Sequence, residues 1–217
     1  IPVCEEAGVR LALHPNDPPT TEALGGIPCL IHSWETYERA FEIADSPALG
    51  MEFCCGCWLE GGTEGFGDIL AAIRHFVAED RILLVHFRNI TGPLPVFTET
   101  FLDNGYMEMY QVMKAFVESG YSNTMILDHS PRFVEGYEAA TTGYAIGYMR
   151  ALVERAERAA GAPVLCHNDL VCQNILESNG PVLIDWTEAA GGSPAADLVR
   201  TLWLLSAAAV PDDLPRR

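Results

Sequence analysis

The sequence predicts an α/β fold built on a parallel sheet. Two observations carry that prediction. Four short apolar runs, Val9 to Leu13, Gly50 to Phe53, Ile82 to Val85 and Thr124 to Leu127, are each bounded by polar or turn residues and read as buried strands. Between and after them the apolar residues recur at helical spacing. Strands alternating with helices imply right-handed crossovers and parallel neighbours. Two closures satisfy the pattern: an open doubly wound sheet, or part of a (β/α)8 barrel. A complete barrel usually takes ~250 residues, so residues 9 to 159 supply about half of one.

The helical segments follow in order. Ser33 stands at the capping position of a helix that carries Trp34, Tyr37, Phe41 and Ala44 on one face. Ile69, Ile73 and Phe76 form a second apolar stripe. Met109, Met113, Phe116 and Val117 form a third, ended by Gly120, a residue that accepts a left-handed stop. Tyr144 to Ala159 forms a fourth, rich in Ala, Glu and Arg. The run Ala-Glu-Arg-Ala-Ala-Gly-Ala-Pro at 156 to 163 then breaks the pattern. It divides the chain into a β–α region, residues 1 to 158, and a segment of different character, residues 159 to 217.

Composition narrows the functional classes. Hydrophobic residues make up 49% of the 217, enough for a core, yet no run of ~18 apolar residues suggests a membrane span. No export signal is visible, which points to the cytoplasm, and the start at Ile1 suggests a fragment or a processed product. The net charge of −17, from 30 acidic and 13 basic side chains, disfavours nucleic acid as a partner. An anionic substrate would need a local cation, either a metal or a few arginines. The seven cysteines, Cys4, Cys29, Cys54, Cys55, Cys57, Cys166 and Cys172, are odd in number and irregularly spaced, as expected of reduced thiols. Cys54, Cys55 and Cys57 are too crowded for a zinc knuckle.

Each expected strand ends in a potential metal ligand: His14, Cys54, His86 and Asp128. The carboxyl end of a parallel sheet is where such folds place their active sites. Neighbouring strands lie ~4.8 Å apart, so four side chains from successive strand ends can converge on one ion. Two imidazoles, a thiolate and a carboxylate suit Mn2+, Fe2+ or Zn2+ better than Ca2+ or Mg2+. Cys55 and Cys57 are alternative thiols, but Cys55 should face away from Cys54 on a strand. His32, just before a helix cap, and His75, within a helix, read as packing or surface residues.

The segments His14-Pro-Asn-Asp-Pro-Pro, Phe53-Cys54-Cys55-Gly56, Val85-His86-Phe87-Arg88-Asn89, Leu127-Asp128-His129 and Gly105-Tyr-Met-Glu-Met resemble the mannonate dehydratases in order and spacing. That family more often has Asp where Glu108 stands. The resemblance covers residues 1 to about 158 and implies the second half of a (β/α)8 TIM-type barrel, similar to xylose isomerase. It further implies dehydration of D-mannonate to 2-keto-3-deoxy-D-gluconate with Mn2+ or Fe2+, held by His14, Cys54, His86 and Asp128. His129, which titrates in the useful range, and Tyr144 would be the catalytic acid and base. Arg88, and more weakly Arg132, would hold the substrate carboxylate.

A second resemblance lies beyond the break. His167-Asn-Asp169-Leu-Val-Cys-Gln-Asn174, followed by Asp185 in Leu-Ile-Asp-Trp, is similar to the catalytic core of aminoglycoside phosphotransferase-like kinases. That family usually has Gly where Asn168 stands. There Asp169 would orient the acceptor hydroxyl, and Asn174 and Asp185 would hold Mg2+ with ATP, were the lobe complete. No Gly-rich phosphate loop precedes the motif, and Lys114, the only lysine, falls in a helix of the first region.

The leading expectation is therefore a mannonate dehydratase-type lyase. A sugar isomerase or epimerase of the same fold, a small-molecule phosphotransferase, and an inactive half-barrel are the alternatives. Unpaired strand edges would call for an N-terminal half barrel or for a homo-oligomer.

Overall fold

The computed structural model describes residues 1–132, 138–160, 164–166, 175–177, 181–183 and 190–192. Two compact units emerge, Ile1–Val153 and Glu154–Arg217. The division falls a few residues before the composition break, within a helix.

The first unit begins with helix α1 (Pro2–Ala7), ended by Gly8 in the left-handed conformation, a short element that the sequence reading did not foresee. Strand β1 (Leu11–Leu13) leads through a long loop to helix α2 (Trp34–Ala44). Ser33 caps α2, accepting a bond from the Thr36 amide, while the Thr36 hydroxyl accepts one from the Ser33 amide. Strand β2 (Leu49–Cys54) follows and runs directly into helix α3 (Cys55–Gly65) and then α4 (Ile69–Ala78). Strand β3 (Ile82–Phe87) continues into a small hairpin of β4 (Asn89–Ile90) and β5 (Glu99–Thr100). Helix α5 (Met109–Glu118), strand β6 (Thr124–Leu127) and helix α6 (Glu138–Ala160) complete the series.

The four main strands are all parallel and lie in the order β1-β2-β3-β6. Each crossover steps the same way, so the order never reverses. A doubly wound sheet reverses at a switch point; this sheet is singly wound, as a barrel wall is. Among the described residues, β1 and β6 each pair with one neighbour.

Helices α2, α3, α4 and α5 bury one aromatic layer against the sheet. Trp58 stacks on Phe53 at 4.6 Å and packs on Phe66 at 4.2 Å, while Phe116 meets Phe53 edge-on at 5.7 Å. All are essentially inaccessible, and each large side chain removed from water contributes ~1.5–3 kcal/mol. Tyr37, fully buried on α2, donates to the Leu13 carbonyl at 2.9 Å. It thereby pins the carboxyl end of β1 beside that of β2.

The second unit shows β7 (Val164–Cys166) antiparallel to β10 (Ala190–Gly192), and β8 (Ile175–Glu177) antiparallel to β9 (Pro181–Leu183). The kinase-like residues Asp169, Asn174 and Asp185 lie outside the described residues.

Candidate metal centre

Strand register sets the site. Cys54 and His86 are direct partners across β2 and β3, and Asp128 follows the last residue of β6. His14 follows the last residue of β1. Cys54 and His86 thus belong to the last turns of their strands rather than to loops, because the strands run longer than the apolar runs alone suggest. The ligand atoms of Cys54, His86 and Asp128 all lie within 4.8 Å of one another, and so do those of His14, Cys54 and Cys57. Cys54 is common to both groups. Its sulfur is 3.5 Å from Asp128 Oδ2, His86 Nδ1 is 3.5 Å from Asp128 Oδ1, and the two imidazole rings are 5.3 Å apart.

Neighbouring groups fix which ring nitrogens face inward. The Pro15 carbonyl can only accept, so His14 Nδ1–H donates to it at 2.7 Å and leaves Nε2 for the site. His86 Nε2 lies 2.5 Å from the Glu52 carboxylate, which leaves Nδ1 facing Asp128. That Nδ1 is buried and has no hydrogen-bond partner. A buried polar atom without a partner is costly, and a cation among the thiolate, carboxylate and imidazoles would satisfy it. The donor set therefore fits a divalent ion of the Mn2+, Fe2+ or Zn2+ kind. Glu52 was not singled out in the sequence. It lies two residues before Cys54, on the same strand face, and that period of two was the available signal.

Helix α3 begins where the sequence reading extended a strand. Cys54 is its N-cap, and its sulfur accepts from the Cys57 amide at 3.4 Å. The Cys57 thiol beside it does most to hold the Cys54 thiol well below its usual range, with His14, His86 and Arg88 adding to this against the opposing effect of burial. Cys55 is excluded for a different reason than strand alternation: it is the first helical residue, fully buried, and burial pushes its thiol up. Cys57 stays a neutral thiol because it donates to Cys54 and is buried.

His14 is pushed up to about 9, chiefly by its hydrogen bond to Cys54. An ion must displace that proton, since protonated imidazole is no ligand. Metal affinity should therefore fall about tenfold per pH unit as the pH drops below 9, and level off above it. Mn2+ calorimetry from pH 6 to 9.5 checks this; a flat profile would contradict the assignment of His14.

Arg88 departs from expectation. Its side chain is 1% exposed, and its guanidinium is taken up by Glu60, Asp17 (3.3 Å), Glu99 (3.1 Å) and Asp128 (3.3 Å). The reading of Arg88 as a clamp on a substrate carboxylate is corrected: its two terminal nitrogens are taken by Glu60, Asp17 and Glu99, and its Nε, which has no hydrogen-bond partner, faces Asp128 from inside the protein. The same guanidinium rules against a second cation among Asp17, Cys57 and Glu60, whose ligand atoms also lie within 4.8 Å of one another. Arg132 lines a small pocket with Asp128, Ser130 and Thr141, beside the centre. His129 Nδ1 meets Glu99 at 2.7 Å and Nε2 lies 3.4 Å from Asp128 Oδ1, with 59% of the side chain exposed. Tyr144 is in the second turn of α6 rather than at its start, because the helix is already formed at Glu138. Its ring packs edge-on against Phe101 at 5.7 Å. A hydrogen bond to Asp103 pushes its phenol up to about 12.

Asn89 and Gly105 explain two more motif positions. The Asn89 amide donates to the carbonyls of Leu102 (3.0 Å) and Met107 (2.9 Å), and a Cβ at Gly105 would stand 2.1 Å from it. The pair moulds the loop over the hairpin.

The singly wound parallel sheet, with metal-ligating residue types at four successive strand ends, is the pattern of a (β/α)8 barrel wall. The family model described as D-mannonate dehydratase (UxuA) matches residues 1–160, and the chain belongs to that family. The mannonate dehydratase of Thermotoga petrophila is 40% identical over 156 residues, covering 70% of this chain and 41% of that protein. The crystal structure of mannonate dehydratase from Streptococcus suis superposes with a TM-score of 0.63 at 30% identity, over 74% of this chain and 47% of that one. A xylose isomerase domain protein from Alicyclobacillus acidocaldarius shares the fold, with a TM-score of 0.56 at 11% identity over 71% of this chain and 54% of that one. The chain thus spans less than half the length of the mannonate dehydratases it matches. A phosphotransferase enzyme family model matches residues 124–216. Among the described residues no helix is long and apolar enough to cross a membrane.

Proposed function

We propose that this chain carries the metal-binding part of a hydro-lyase that converts D-mannonate to 2-keto-3-deoxy-D-gluconate and water. One observation carries the reading: two donor groups, Cys54 with His86 and Asp128 and Cys54 with His14 and Cys57, share the Cys54 sulfur beside the unpartnered Nδ1 of His86, in a chain of this metal-dependent family. The reaction removes the proton beside the carboxylate and expels the neighbouring hydroxyl. Mn2+ or Fe2+ held by His14, Cys54, His86 and Asp128 would supply Lewis-acid stabilisation of the developing charge. His129, exposed and 2.7 Å from Glu99, would take the proton. Tyr144, protonated to about pH 12 by its bond to Asp103, suits a donor to the leaving hydroxyl and not a base. Arg132, beside Asp128, is the cation offered to the substrate carboxylate.

No phosphotransfer is proposed. The sole lysine, Lys114, lies on α5 and pairs with Glu118 there, so it is not the lysine that would hold nucleotide phosphates.

The test is a chimera in which residues 1–160 replace the matching part of the Thermotoga petrophila mannonate dehydratase. It should form a 2-keto-3-deoxy acid from D-mannonate, lose that activity to a chelator and regain it with Mn2+. A folded chimera that isomerises or epimerises ketoses but leaves mannonate untouched would contradict the reading.

A further inference from the structure

The first turns of α3 form a slot for one side chain. Glu60 lies four residues after Gly56 and three after Cys57, so it neighbours both on the helix surface. A Cβ at Gly56 would stand 1.8 Å from Arg88 Nε, so only glycine lets the guanidinium lie there. Cys57 Sγ is 3.7 Å from the guanidinium, and Glu60 bonds it through Oε1. Glu60 is fully buried, and its Oε2 has no partner. A buried arginine and a buried glutamate are each costly alone, so the two are retained as a pair. From this slot Arg88 reaches Asp17 behind β1, Cys54 at the end of β2, Glu99 on β5, and Asp128 and His129 behind β6. Its Nε lies 3.3 Å from Asp128 Oδ2, while Oδ1 of the same carboxylate faces His86.

We propose that Glu60 and Arg88 act as one positioning device for the metal centre. Glu60 fixes the guanidinium, and the guanidinium sets Asp128 and Cys54 to receive the ion. This rests on reading the four strand-end residues as ligands. Neither residue touches the ion; both act through Asp128 and Cys54. The planar fork matters, because a lysine ammonium cannot reach several strand ends from one slot.

The experiment uses the 217-residue chain with Co2+ as probe. Co2+ bound to Cys54 gives a thiolate-to-cobalt charge-transfer band, which reports geometry as well as affinity. Glu60→Gln and Arg88→Lys should fold and melt cooperatively without metal, yet bind Co2+ about 10–100-fold more weakly with a diminished band. The double variant Glu60→Gln/Arg88→Met should bind no more weakly than Arg88→Met alone, since both residues act through one contact. Folded single variants with the wild-type affinity and band would overturn the proposal and leave the pair as interior packing. Should Glu60→Gln not fold, the double variant, which leaves neither a buried glutamate nor a buried arginine without the other, decides: weaker Co2+ binding supports the proposal and unchanged binding overturns it. A wild-type chain whose Co2+ spectrum is the same as that of Asp128→Asn would overturn the metal reading itself, and this proposal with it.

Discussion

Replacing Cys54 by alanine should weaken Mn2+ binding more than any other single change at the site. Cys54 belongs to both donor groups, accepts from the Cys57 amide at the start of α3, and has its thiol held well below its usual range by the Cys57 thiol. Losing an outer partner of a metal site ordinarily costs 10–100-fold in affinity. Losing this inner ligand should cost more than about 100-fold on the same scale. Cys57→Ala should change affinity only a few-fold, as expected of a neutral thiol behind the ligand rather than a ligand itself. Calorimetric titration of both variants after chelator treatment makes the comparison. Equal losses in the two variants, or a Cys54 variant that binds normally, would move the thiolate ligand to Cys57.

The second large effect concerns turnover. The 217-residue chain should dehydrate mannonate at least about 100-fold more slowly than the Thermotoga petrophila mannonate dehydratase, the loss expected when reacting groups are misplaced by ~1 Å. His14 and Asp128 follow β1 and β6, the two strands that have one neighbour each among the described residues. Leu11 and Ile126 on those strands are 43% and 40% exposed. Unpaired backbone beside exposed apolar side chains holds a ligand less firmly than a closed barrel does. Steady-state assay of the keto product, with light scattering to fix the oligomeric state, measures this. Comparable turnover by a monomer would refute the argument.

Much of this architecture was legible before any coordinates. The β–α rhythm was legible because each strand is a short apolar run and each helix buries one stripe. The four donors stood out because they occupy the same place in four successive units. What escaped the sequence has physical causes. Helix α3 reads Cys-Gly-Cys-Trp-Leu-Glu-Gly-Gly, and its glycines and weak amphipathicity hide the helix; Gly62 within it departs from helical geometry at φ 63°. Glu60 escapes the sequence because nothing in its neighbourhood there announces Arg88, 28 residues away. The four carboxylate partners of Arg88 come from four separate segments, and only the fold assembles them. The choice between an open sheet and a barrel wall needed the strand order, or the family likeness.

Anomalous diffraction at the manganese edge, from crystals of the chain grown with Mn2+, tests the central claim most directly. The account predicts one strong peak within about 2.0–2.4 Å of His14 Nε2, Cys54 Sγ, His86 Nδ1 and Asp128 Oδ1, the range of ordinary N, O and S ligation. A peak that omits Cys54 or His86, or ligands that keep their metal-free hydrogen bonds at saturating Mn2+ with no peak between them, would contradict it.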